Sequence, residues 1–145
     1  MGFALAEACA ERGAEVTLVA GPVSLKTHHP AIKRIDVESA GEMYQAAMTA
    51  FPSSDAAILC AAVADYRPEN ASEQKIKRET EREMTLHLVP NPDIAASLGV
   101  IKREGQVMVG FALETNDEAT HAEGKLKRKN LDFIVLNSLR DQGAG

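Results

Sequence analysis

Four groups of residues in this chain have the types and spacing to handle a negatively charged small molecule. Asp65 closes a long apolar run, and ten residues later Lys75 opens a basic cluster with Lys77 and Arg78. Asp93 stands at the head of a helical pattern, and Lys125 and Lys129 are four residues apart within a second cluster that includes Lys127 and Arg128. A carboxylate such as Asp65 can accept hydrogen bonds from a ribose or a base, or help hold Mg²⁺ on a polyphosphate. Lysines screen phosphate charge, and amides at a helix N-terminus receive anionic groups.

Each group also has a plainer reading. Asp65 is equally a turn residue, and Lys75 lies in what reads as an exposed connection. Asp93 completes a helix start. Lys125 and Lys129 share a helix face, but cations near a helix C-terminus are favourable without any ligand.

These residues need a scaffold, and the chain supplies an alternation of helices and strands. Phe3, Leu5, Ala8 and Cys9 recur at helical spacing, closed by Arg12-Gly13. Strands are expected over residues 15–20, stopped by Gly21-Pro22, and over residues 32–37. Ser39-Ala40-Gly41-Glu42 reads as a capping box for a helix that ends near Phe51-Pro52. Residues 56–63 form a continuous apolar run, as in a strand buried on both faces. Alternation over residues 84–89 predicts another strand. Asn91-Pro92-Asp93-Ile94 then opens a helix, with Asn91 able to cap, Pro92 suited to the first turn and Asp93 favoured by the dipole. Gly105 closes that helix, residues 106–112 form a strand, residues 116–129 a helix and residues 131–137 a last strand.

This order implies a single α/β domain over residues 1–145 with a doubly wound, mainly parallel, Rossmann-like sheet. Ligands of such sheets bind beyond the carboxyl ends of the strands. Ala20-Gly21-Pro22, Asp65-Tyr66-Arg67, Asn91-Pro92-Asp93, Phe111 and Asn137-Ser138 all fall there. The first helix begins almost at residue 1, so the strand and Gly-rich loop that normally precede it are expected to be missing, and Gly143-Ala144-Gly145 reads as a cut through a loop.

Composition narrows the classes further. The formal net charge of −5 argues against a general nucleic-acid binder. No apolar run is long enough to span a bilayer, no signal peptide is visible, and a cytoplasmic location is expected. Cys9 and Cys60 sit among small apolar residues as buried hydrophobes would. His28, His29, His87 and His121 lack metal-site spacing.

Several motifs in order resemble the signature of the phosphopantothenate–cysteine ligase family. They are Leu18-Val19-Ala20-Gly21-Pro22-Val23, Ala61-Ala62-Val63-Ala64-Asp65-Tyr66-Arg67 and Lys75-Ile76-Lys77-Arg78. Asn91-Pro92-Asp93-Ile94, Gly110-Phe111-Ala112-Leu113-Glu114-Thr115-Asn116, and Lys125 through Asn130 leading to Asn137 complete the likeness. The resemblance implies a step of coenzyme A biosynthesis in which CTP and Mg²⁺ activate 4′-phosphopantothenate as an acyl-cytidylate. L-cysteine then displaces CMP to form an amide. It implies Lys75 as the catalytic lysine, and Ala61, Asp65, Pro92, Asp93, Ile94, Ala95, Phe111, Lys125 and Lys129 as nucleotide contacts. The family suggests a homodimer, often fused to an FMN-dependent decarboxylase that lies outside this chain. An essential asparagine of the family would precede Met1, so this segment alone is expected to be inactive or badly impaired.

Two rivals remain at this level. An NAD(P)-dependent oxidoreductase shares the scaffold, but its ribose-binding acid is lacking where the first predicted strand ends in Ala20-Gly21-Pro22. A non-catalytic nucleotide-binding or dimerisation module is the other. The choice of CTP over ATP is not legible in residue types.

Overall fold

The computed structural model describes residues 1–72, 74–75, 84–114 and 118–138. The first helix, α1 (Gly2–Glu11), ends as the sequence predicts. Gly13 takes φ +92°, its amide reaches the Ala10 carbonyl at 3.0 Å, and the Ala14 amide reaches that of Cys9 at 3.1 Å. This is the Schellman arrangement, in which glycine adopts a left-handed conformation that a side chain would strain.

Strands β1 (Val16–Ala20) and β2 (Ile32–Asp36) pair in parallel, with Leu18 beside Arg34 and Thr17 beside Lys33. Helices flank this pair on both sides. The Arg34 guanidinium carbon lies 5.2 Å from the Phe3 ring centroid of α1. On the other side, Thr17 and Lys33 share a shallow groove with Gln45 and Thr49 of α2 (Ala40–Ala50). Helix α2 starts with the expected cap: the Glu42 amide donates to Ser39 Oγ at 3.2 Å, and the Glu42 carboxylate accepts from the Glu38 amide at 2.8 Å. That amide, followed by the Ser39 hydroxyl, lowers the Glu42 pKa.

A 3-10 turn (Phe51–Ser53) leads to β3 (Ala56–Leu59). An antiparallel ribbon of β4 (Tyr66–Pro68) and β5 (Leu88–Pro90) follows, then α3 (Ile94–Ile101), β6 (Val107–Glu114), α4 (Glu118–Arg128) and β7 (Phe133–Ser138). β3, β6 and β7 form a parallel sheet in that order. One face carries Ala57, Leu59, Met108 and Ile134, packed with Phe51, Leu98, Leu126 and Leu131 as the core. Leu98 and Met108 are fully buried, and each such side chain contributes about 1.5–3 kcal/mol of hydrophobic stabilisation. The register sets Ile58 beside Val109 and Phe133, and Phe111 beside Val135, on the opposite face. There Ile58, Val107, Phe133 and Val135 stand 37–61% exposed.

The α/β class with parallel strands is as expected, and no helix among the described residues is long and apolar enough to cross a membrane. Three local expectations need correction. β3 stops at Leu59 rather than residue 63, and among the described residues only one of its faces is covered: Ala57 and Leu59 pack on the core while Ala56 and Ile58 stay exposed. The strand expected over residues 84–89 is confined to Leu88–Pro90, where the partner strand β4 lies. The helix after Pro92 begins at Ile94, with Asp93 as its cap, and ends at Ile101 before Gly105. Asn91 bonds elsewhere, leaving Asp93 to accept from the Ala96 amide at 3.0 Å.

Candidate functional site

The turn after β3 and the start of α3 meet at the carboxyl end of the sheet. Ala61, Ala64 and Asp65 are exposed along this turn. Its path is fixed by the Asn91 amide N–H, which donates to the Asp65 carbonyl at 2.7 Å. One residue past Pro92, Asp93 caps α3, whose first residues Ile94 and Ala95 are half-buried. The turn bearing Asp65 and the N-terminus of α3 are therefore joined through a single backbone hydrogen bond.

Lys129 reaches this junction from just beyond α4. Its Nζ lies 3.0 Å from Oδ2 of Asp93. Gly99 lets the C-terminal ends of the two helices approach: a Cβ at position 99 would collide with the Lys129 carbonyl oxygen. Asn130, at φ +53°, donates from Nδ2 to the Gly99 carbonyl at 3.0 Å. Farther along, Lys102 Nζ lies 2.7 Å from both carboxylate oxygens of Asp132, one of which accepts from the Met108 amide at 2.6 Å. These contacts tie α3 to the loop that enters β7.

Two opposing influences act on the Asp93 carboxyl. Burial pushes its pKa up, but the Ala96 amide, the hydrogen bond and charge of Lys129, and the Ala95 amide together hold it below the ordinary value. Asp93 is thus ionised at neutral pH and neutralises Lys129. Asp65 is also exposed, and among the described residues its carboxylate has no hydrogen-bond partner.

Of the predicted site residues, Asp65, Pro92, Asp93, Ile94, Ala95 and Lys129 are brought together around this junction. Lys125 is one helical turn before Lys129 on α4 and is half-buried. Phe111 is on β6, but strand alternation sends its side chain to the face opposite Met108 and Ala112, on which Ile58 and Val135 lie. Lys75 is exposed on the connection between the two ribbon strands. The root of that connection is closed by Glu69, whose amide donates to the His87 carbonyl at 2.9 Å and whose carboxylate meets His87 Nδ1 at 2.8 Å. Lys77 and Arg78, Thr115 and Asn116, and the Gly143-Ala144-Gly145 terminus lie outside the described residues. None of the candidate residues lines the groove between β1–β2 and α2.

Arg67 belongs to the Asp65-Tyr66-Arg67 group expected at this edge, but the sequence assigned it no role of its own. Its guanidinium Nη1 donates to the Pro90 carbonyl at 2.7 Å and to Asn91 Oδ1 at 3.2 Å. The sequence signal was an arginine two residues after Asp65, which could have been matched to the amide-bearing Asn91.

The family model for the DNA/pantothenate metabolism flavoprotein C-terminal domain matches residues 1–145. A cysteine/cysteine sulfinic acid decarboxylase from an unknown prokaryotic organism is 59% identical over the whole chain and 40% of that protein. The coenzyme A biosynthesis bifunctional protein CoaBC of Vibrio parahaemolyticus is 51% identical over the whole chain and 36% of its own length. Among solved structures, the C-terminal domain of a coenzyme A biosynthesis bifunctional protein CoaBC superposes with TM-score 0.80 at 36% identity. That match covers 94% of this chain and 62% of the other. The chain therefore spans well under half the length of these curated relatives.

Proposed function

Because the chain belongs to the DNA/pantothenate metabolism flavoprotein C-terminal domain family, we propose that it serves coenzyme A biosynthesis as a phosphopantothenate–cysteine ligase domain. In this reading, the carboxylate of 4′-phosphopantothenate attacks the α-phosphorus of CTP, releasing pyrophosphate and forming an acyl-cytidylate. The amino group of L-cysteine then attacks the acyl carbon, CMP leaves, and the amide forms.

The observation that carries the reading is the 2.7 Å bond from the Asn91 amide to the Asp65 carbonyl. It gathers the exposed Asp65 carboxylate, a helix N-terminus and the Asp93–Lys129 pair at one rim of a parallel sheet. The chemical problem is to hold two anions together while charge builds on the transferring phosphorus. Lys75, emerging from the ribbon root, is suited to approach that phosphorus from outside the rim. The α3 amides and Lys125 favour a nucleotide, Lys129 would join them on exchanging Asp93 for a phosphate, and Asp65 suits its ribose. Mg²⁺ would be held mainly by the triphosphate and water, keeping most of its own shell. It would screen phosphate charge.

A homodimer and a cytoplasmic location belong to the same proposal. The decarboxylase in the name of the 59% relative describes a protein of which this chain matches 40%.

The test is thermal protection of the intact protein, followed by assay for amide formation from 4′-phosphopantothenate and L-cysteine. CTP with Mg²⁺ should raise the melting temperature and support turnover. Protection by NAD(P) in place of CTP would transfer the case to an oxidoreductase. Protection by neither would leave a non-catalytic module.

A further inference from the structure

The carboxamide of Asn91 occupies a position that a carboxylate could not fill. Its Nδ2 donates to the Ala64 carbonyl at 2.8 Å, while its Oδ1 accepts from Arg67 Nη1 at 3.2 Å. Its own backbone N–H is spent on the Asp65 carbonyl. One residue therefore needs a donor on one side and an acceptor on the other, and a primary amide has both. Arg67 locks the orientation, because the same Nη1 also donates to the Pro90 carbonyl at 2.7 Å. This arrangement explains why Asn91 does not cap α3.

Three pieces of the rim converge on this amide. The Ala61-to-Asp65 turn is held through the carbonyls of residues 64 and 65. The ribbon that carries Lys75 is held at its root through Arg67 and Pro90. The N-terminus of α3 follows, with its cap Asp93, the partner of Lys129, two residues after Asn91. None of these pieces touches another through an equally direct side-chain bond among the described residues.

We propose that Asn91, oriented by Arg67, is a positioning residue that sets the Asp65 turn, the Lys75 ribbon and the α3 N-terminus in register for the nucleotide. This role rests on the ligase reading above. Asn91 acts through the groups it holds and has no part in bond making. Asn91→Asp keeps the acceptor for Arg67 but sets a carboxylate oxygen against the Ala64 carbonyl, so the turn is pushed away.

The experiment compares wild type, Asn91→Asp and Arg67→Met in the intact protein by steady-state kinetics, varying CTP and L-cysteine separately. Thermal melting establishes the folded fraction. Asn91→Asp is expected to lower kcat/KM for CTP by at least tenfold, mainly through KM, while KM for L-cysteine stays within twofold. Arg67→Met should move the same parameter by a smaller factor, and the double variant should be little worse than Asn91→Asp alone. A merely structural role would reduce kcat through the active fraction and leave both KM values in place, which would overturn the proposal. If Asn91→Asp does not fold, Arg67→Met decides: an unchanged CTP KM overturns the role. A wild-type protein without CTP-dependent ligation overturns the ligase reading itself, and the positioning role with it, whereas an active wild type with an equally active Asn91→Asp overturns the positioning role alone.

Discussion

Lys129 places its ammonium nitrogen 3.0 Å from a carboxylate oxygen of Asp93, and that same aspartate caps α3 with its other oxygen. The pair links the end of one helix to the start of another. It also sets the charge of the rim, since either partner alone would leave an ion there.

The first prediction follows from that pair. Asp93 has a folded pKa below its ordinary 3.8, so protonation favours the unfolded chain. Its contribution is fully present above pH ~4 and is lost as pH falls through the depressed folded value. Lys129→Met removes two of the lowering causes. It should cost about 0.2–1 kcal/mol at pH 6, as for a half-exposed pair, and less below pH ~4. Urea unfolding of both proteins at pH 6 and pH 3 checks this; a gap that widens in acid contradicts it.

Helix approach at Gly99 gives the second. A methyl group there meets the Lys129 carbonyl carbon at 2.9 Å as well as its oxygen, and that backbone cannot rotate away. Gly99→Ala should lower stability by about 1–3 kcal/mol. Gly124→Ala is the contrast, because its nearest neighbour is the flexible end of Arg128, at 3.0 Å. It should be neutral or gain roughly 0.5–1 kcal/mol from helix propensity. Equal urea midpoints for the two variants would defeat this account.

The third concerns Gln106, the one buried polar residue among those described. Nε2 donates to the carbonyls of Phe51 and Ser54 at 3.0 and 2.6 Å, and Oε1 accepts from the Arg103 amide at 2.8 Å. Gln106→Leu keeps much of the volume but strands the Ser54 carbonyl and the Arg103 amide, each costing on the order of 1–3 kcal/mol when buried and unpaired, while the Phe51 carbonyl keeps the Ser54 amide at 3.0 Å. Chemical denaturation should show a loss of about 2 kcal/mol or more; a loss under half of that would mean water replaces the side chain.

Lys75→Gln supplies the fourth. It removes the charge and retains most of the length, so the intact protein should melt as wild type does, because Lys75 is exposed. Amide formation should fall by at least a hundredfold, about 2.7 kcal/mol of transition-state stabilisation. Wild-type turnover would refute the assignment.

Much of the scaffold was legible because its signals are local. The Ser39–Glu42 cap, the Gly13 stop and the strand periods around Val16 and Ile32 depend on neighbouring residues, and they appear where expected. Expectations failed where distant partners decide. The apolar run after Ala56 reads as strand to residue 63, yet the ladder ends at Leu59 and the chain turns to meet Asn91. Asn91 looked like a cap because asparagine favours caps; its carboxamide instead serves Ala64 and Arg67, 27 and 24 residues away in the chain. At the site, the motif positions were readable, but the Asp93–Lys129 pairing and the opposite facing of Phe111 follow from sheet register and helix packing. No single-residue pattern encodes those.

Among the described residues nothing covers one side of the β3–β6–β7 sheet, where Phe133 is 61% and Val135 41% exposed, and such an apolar face favours self-association. Hydrophobic attraction gains strength on warming and fades in the cold. Concentrated samples should therefore cloud when heated, well short of unfolding, and clear again on ice, and Phe133→Ser should blunt that cycle.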